Sequence, residues 1–164
     1  MATNPLTNSV VGRVSPAEVA SQSGEDFLKG MMDGRYPMPP MSAVIPVAFA
    51  EVSRGTVALR SLPREEFGNP LGTVHGGYAA TLLDTAMSCA VHSTLAAGEA
   101  YTTLEFKISL HKAITPATGE LRAEGKIVMR GSRVASAEGR IVDKDSNVYV
   151  TGSSTCLVFQ IRGA

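Results

Sequence analysis

The sequence lacks the features that would commit it to a polyanion, a membrane or an oxidising compartment. Its 15 basic residues are balanced by 15 acidic ones, so no net positive field draws in DNA or RNA, and no nucleic-acid partner is expected. Apolar stretches are broken by Gly, Thr, Asp or charged residues well short of the roughly 20 positions of a membrane span, so no membrane association is expected. The N-terminal MATNPLTNSVVGRVSPAEV has neither a basic start nor an apolar run of signal-peptide length, which points to a soluble, cytoplasmic protein. Cys89 and Cys156 are the only cysteines, too few for a disulfide framework and without metal-ligand spacing; both are expected as reduced core residues. His92 and His111 have no acidic or cysteine companions at ligand spacing, so no metal is expected. Neither G-x-x-x-x-G-K-[ST] nor G-x-G-x-x-G occurs, which argues against nucleotide binding by those loops, and no cofactor is expected.

What the sequence does have is a core and a clear order of elements. With 164 residues, 44% of them hydrophobic, it is expected to fold around one core, as a domain over 43–164 preceded by an accessory segment over 1–42. Residues 1–23 carry no sustained periodicity and read as a loosely held arm. Ser23 can cap a short helix from Gly24 to about Asp33, Gly34 would end it, and Tyr36-Pro-Met-Pro-Pro forces an extended linker. Two strands follow, roughly 43–53 and 56–62, turned by Ser53-Arg54-Gly55. Residues 63–74, with two prolines and two glycines, form a long connection. Beyond it Ala79, Leu82, Leu83, Ala86, Ala90 and Thr94 recur at helical spacing, predicting a long helix from Gly76 to about Ala97 with Gly98 as its stop. The period then drops to two. Leu104, Phe106, Ile108 and Leu110 alternate with Thr103, Glu105, Lys107 and Ser109, which predicts one buried and one polar face. Three further strands, about 119–129, 133–143 and 147–160, are joined by short turns and should be antiparallel neighbours. The fold class is therefore α+β, a long central helix wrapped by a curved antiparallel sheet of about six strands.

The candidate chemistry sits on that helix. His75-Gly76-Gly77 stands at its start, where the first turn leaves backbone N–H groups unpaired and the helix dipole adds positive potential. Without side chains at the glycines a ligand carbonyl can come close, as an oxyanion hole requires. The competing reading is that the glycines only let the helix pack closely under the loop. Asp84 has Ala80, Thr81, Met87 and Ser88 as its neighbours three and four residues away, a small and apolar stripe. Desolvation there would raise its pKa, as is common for general bases and nucleophiles, although a structural Asp bonded to a neighbouring loop would look the same. Asp84 lies nine residues after His75, roughly 13 Å along the axis and about half a turn round. One helix cannot aim both ends at a single carbonyl, so a shared reaction calls for an isologous dimer. Cys89 and His92 are three apart, but a mid-helix thiol lacks a nearby oxyanion hole. Met87 and Met129 read as pocket or core filler.

Over about residues 43–159, and most densely over Asn69-Pro-Leu-Gly-Thr-Val-His75-Gly-Gly-Tyr-Ala-Ala-Thr-Leu-Leu-Asp84, the sequence resembles the phenylacetate-degradation-type (PaaI-like) acyl-CoA thioesterases of the hotdog superfamily. The resemblance implies a hotdog fold assembled as dimers or dimers of dimers, with active sites between subunits and an acyl-CoA as substrate. It implies that the Gly76 amide polarises the thioester carbonyl and that Asp84 activates water or attacks. It further implies that Asn69 and His75 organise the acyl site, and that a hydroxyl after the helix, Thr103 or else Thr102, holds the water. Gly77 and the turn Arg130-Gly131-Ser132-Arg133 are the candidates for binding coenzyme A, whose phosphates need cations or free amides, and the turn is otherwise an ordinary basic one. Lys107 and Lys112 are weaker candidates. A hotdog enoyl-thioester hydratase or dehydratase, or a non-catalytic acyl-CoA-binding module, are the alternatives.

Overall fold

The computed structural model describes residues 2–161. In chain order it contains α1 (Pro16–Ala20), α2 (Gly24–Met32), β1 (Ala48–Ser53), β2 (Thr56–Ser61), α3 (Gly76–His92), β3 (Glu99–Leu110), β4 (Leu121–Arg130), β5 (Val134–Val142) and β6 (Val148–Gln160). The six strands form one antiparallel sheet in the order β1-β2-β4-β5-β6-β3, which leaves β1 and β3 as its edges. The sheet curves around α3, whose Leu82, Leu83, Ala86, Met87, Ala90 and Val91 are fully buried. The expected α+β architecture is the observed one.

Three glycines let the helix come so close. Gly125, Gly139 and Gly152 are register partners across β4, β5 and β6 and form a row under α3. A Cβ on Gly125 would lie 2.1 Å from the Ala86 carbonyl oxygen, and one on Gly139 would lie 2.9 Å from Leu83 and Met87. The sheet is thus dished where the helix backbone crosses it, and helix position follows from absent side chains.

Several boundaries differ from the expectation, each for a local reason. β1 starts at Ala48, because Pro40–Ala43 form a single 3-10 turn and Pro46 has no N–H to give a ladder. α3 stops at His92, where the buried Ser93 hydroxyl donates to the Ala90 carbonyl and accepts from the Gly55 N–H. Within residues 1–23, expected as a loosely held arm, Asn4 and Val11 are anchored: Asn4 is fully buried with its side-chain amide on the Val47 carbonyl at 2.6 Å, and Val11 bridges to Met38. Phe27, Leu28 and Met38 join the same apolar core as α3.

The largest departure is in β3. Leu104, Phe106 and Leu110, expected on a buried face, are 58%, 43% and 58% exposed. A bulge falls between Thr103 and Glu105 and reverses the alternation. Thr103 therefore faces α3, and so does Ile108, five residues on, beside the face of Gly152 that meets Leu83. In an unbroken strand, residues five apart point to opposite sides. Beyond the bulge the strand runs along an open edge of the sheet, and its apolar side chains have no neighbour to cover them.

Candidate active site

The loop before α3 is organised by Asn69. Its side-chain oxygen accepts from the N–H groups of Leu71 and Thr73, its amide donates to the Thr73 hydroxyl at 2.8 Å, and Gly72 completes the turn at φ +83°. Val74 N–H then bonds the Ile114 carbonyl and His75 N–H the Phe67 carbonyl, so the entry to the helix is held from both sides. His75 is the N-cap, and its Nδ1 accepts from Gly77 N–H at 2.8 Å, which puts the ring proton on Nε2. Gly77's amide is thereby used. Gly76 N–H has no acceptor among the described residues, and it opens on a cavity of about 250 Å³ lined by Asn69, His75, Leu110, His111 and Lys112 among others. An unpaired N–H at the positive end of a seventeen-residue helix is suited to a carbonyl oxygen that gains charge.

Asp84 lies two turns further along α3, about 12 Å of helical rise from Gly76. It is half-buried, and burial raises its pKa above the ordinary carboxylate value, while the Thr103 hydroxyl, donating to Oδ1 at 3.3 Å, works in the opposite direction. Of the two threonines considered for this position, Thr103 meets Asp84 and Thr102 is exposed. Asp84 does not line the cavity at Gly76, so the two ends of the motif remain apart within one chain.

The other candidates are distributed as follows. Burial pushes the Cys89 thiol up to about 12, with the Asp84 charge adding to it, so the thiol stays protonated. His92 is held neutral, its pKa lowered to about 4 by burial, with its ring against Phe27 and Tyr101 rather than paired with a nucleophile. Arg130 is committed to Glu99 through Nη2 at 2.9 Å and to the Gly131 carbonyl, leaving its buried Nε without a partner. Arg133 and Ser132 are exposed, and Arg133 pairs with no carboxylate among the described residues. Met87 is core, but Met129 is 46% exposed. Lys112, a weaker coenzyme A candidate, borders the Gly76 cavity and Lys107 does not; His111, which also borders it, has no such signal in the sequence. A cavity of about 510 Å³ lies on the sheet face away from α3 among the ion pairs of Glu51, Arg122, Glu124 and Arg140 and includes none of these residues.

The Thioesterase superfamily profile matches residues 71–150, a span containing His75, Gly76, Asp84 and Thr103. A solved structure of a protein from the thioesterase superfamily is 31% identical with a TM-score of 0.65, and the match covers 87% of this chain and 98% of that one. The chain belongs to the thioesterase superfamily. Its helix-wrapping sheet is the hotdog fold, and it groups with PaaI-like members. One is a candidate thioesterase from Ralstonia eutropha JMP134, a phenylacetic acid degradation-related protein, at 25% identity and TM-score 0.72, covering 80% of this chain and 98% of that one. Another superfamily-like fold, from Streptococcus mutans and solved bound to acetyl-CoA, is 22% identical with a TM-score of 0.64, over 71% of this chain and 90% of that one. A candidate esterase of Halobacterium salinarum is 38% identical over 101 residues, 58% of this chain and 65% of that protein's length. No helix among the described residues is long and apolar enough to cross a membrane.

Proposed function

We propose that this protein hydrolyses an acyl-CoA thioester to the free carboxylic acid and coenzyme A. The observation that carries the reading is the pairing of a partly desolvated carboxylate, Asp84, held by the Thr103 hydroxyl, with an unpaired Gly76 amide at a helix start. The Gly76 N–H accommodates the charge that develops on the thioester oxygen, and Asp84 activates a water molecule or attacks the carbonyl itself. His75 and Asn69 set the backbone of the loop that aims the amide. Arg133 and Ser132 are the groups free to meet coenzyme A phosphates, with Arg130 bracing their turn through Glu99. The acetyl-CoA bound by the Streptococcus mutans protein supports this substrate class.

In this reading the reaction takes place in a homodimer, alone or within a dimer of dimers. Leu110 packs over Gly76 and Thr103 bonds Asp84, so the two ends of the site mark two points on the free edge of β3. Antiparallel pairing of β3 with its copy, Thr103 opposite Leu110 of the partner subunit, brings each carboxylate to the other subunit's amide and covers Leu104 and Phe106. The test is thiol release from a panel of acyl-CoAs by wild type and Asp84→Asn. The variant should keep its circular dichroism and lose about a hundredfold or more in turnover. Full turnover in Asp84→Asn refutes the assignment, and stoichiometric acyl-CoA binding without hydrolysis by wild type identifies a binding module instead.

A further inference from the structure

The curved sheet does not close on itself. Its two edges are β1 and β3, and α2 packs against β1 and α3. Beneath α2 is a cavity of about 280 Å³ in which Phe49 of β1 and Tyr101 of β3, from opposite edges of the sheet, line one space. Phe27 and Met31 of α2 roof it, and Ser88 and His92 of α3 form its floor.

This cavity adjoins the candidate reaction centre. Thr85, which also lines it, follows Asp84 directly, and Ser88 is one helical turn further, about 6 Å of rise. On β3, Tyr101 and Thr103 sit two residues apart before the bulge and so share the face toward α3, roughly 7 Å apart. A thioester carbonyl held beside Asp84 and Thr103 can therefore send its acyl tail along the seam between α3 and β3 into the space under α2.

The lining sets what can enter. It contains no Asp, Glu, Lys or Arg; burial holds His92 neutral and raises the pKa values of Tyr101 and Cys89, so these groups stay uncharged as well. A charged tail would lose its hydration there without gaining a partner. At roughly 30 Å³ per heavy atom, the volume of about 280 Å³ takes about nine carbon-sized groups.

We propose that α2 is the end wall of the acyl pocket and that Met31 and Phe27 limit it to an uncharged, apolar acyl group of about nine heavy atoms. The wall comes from α2, outside the residues 71–150 that the family profile matches, so chain-length selection is set by a different part of the chain from the reacting groups. The proposal rests on the reading that the reacting carbonyl sits at Asp84.

Binding of S-ethyl-CoA and S-octyl-CoA, thioethers that cannot be hydrolysed, measured by calorimetry separates the pocket from the reaction. Wild type should bind the octyl compound at least about tenfold more tightly than the ethyl one. Met31→Trp, which takes up part of the cavity, should reduce that preference, while Met31→Ala should move it toward S-dodecyl-CoA. Met31 is only partly buried, and Met31→Ala keeps the test open if the tryptophan variant folds poorly. A preference unchanged in both variants, or equal binding of ethyl and octyl compounds by wild type, overturns the proposal. Wild type that shows the preference, with its reduction in Met31→Trp, but hydrolyses no thioester leaves the pocket standing and removes the hydrolytic function. Failure to bind either compound removes both.

Discussion

Replacing Gly125 by alanine tests whether the glycine row sets the position of α3. The added Cβ would stand 2.1 Å from the Ala86 carbonyl oxygen, 2.4 Å from its carbon and 2.7 Å from Met87 N. Ordinary approaches begin at about 3.5 Å, so α3 must retreat by roughly 1 Å or more. The clash is with backbone, and no rotamer change relieves it. A retreat also loosens Leu82, Leu83, Ala86 and Met87, all at 0% exposure. Overpacking of a core typically costs about 1–3 kcal/mol, and a backbone clash in this position belongs at or above about 3 kcal/mol. For a protein of this size that is a fall in Tm of about 6–12 °C. Urea unfolding followed by circular dichroism at fixed protein concentration measures it. Gly12→Ala, whose Cβ would meet only the Pro37 ring at 3.4 Å, is the control and should change stability by no more than about 0.5 kcal/mol. Because Ala86 lies two residues beyond Asp84, the same shift should also cost about a hundredfold in turnover. A Gly125→Ala protein within about 1 kcal/mol of wild type would show that α3 is not positioned by this contact.

Two further outcomes follow from the site. Activity that needs the Asp84 carboxylate is full above its pKa and falls as pH drops through it; Thr103→Val removes a donor that favours the charged form, so the acid limb of the turnover profile should move to higher pH. An unmoved limb means the hydroxyl does not act on Asp84. Leu104→Glu sets an unpaired charge on the exposed edge of β3 and should yield a monomer by analytical ultracentrifugation, with turnover lost; a monomer of full activity refutes the shared site.

Local pattern was enough for much of this. The hairpin at Ser53-Arg54-Gly55, the start of α3 after His75 and the succession of antiparallel strands all depend on residues within a few positions of one another, and Gly55 takes the left-handed conformation its turn requires. The small, apolar stripe around Asp84 likewise carried the sign of its pKa shift, because helical neighbours supply part of the desolvation.

Other features depend on groups far apart in the chain. The bulge between Thr103 and Glu105 interrupts an alternation that looks perfect in sequence; pairing with β6 and the fit of Thr103 to Asp84 decide where the extra residue goes. Arg130 reads as a free phosphate ligand in the sequence, but Glu99, 31 residues away, holds it. Residues 1–23 have no sustained period, yet Asn4 is buried, and Phe27 and Leu28 of the expected helix and Met38 of the linker join the core of α3, because their packing partners lie far along the chain. The sequence by itself determined the elements and the motif His75-Gly76-Gly77 with Asp84, since periodicity and helix ends are short-range. Only the tertiary structure decided which faces are covered, which charges are paired and what α2 encloses, since burial and ion pairing are set by contacts between residues that the chain brings together from a distance.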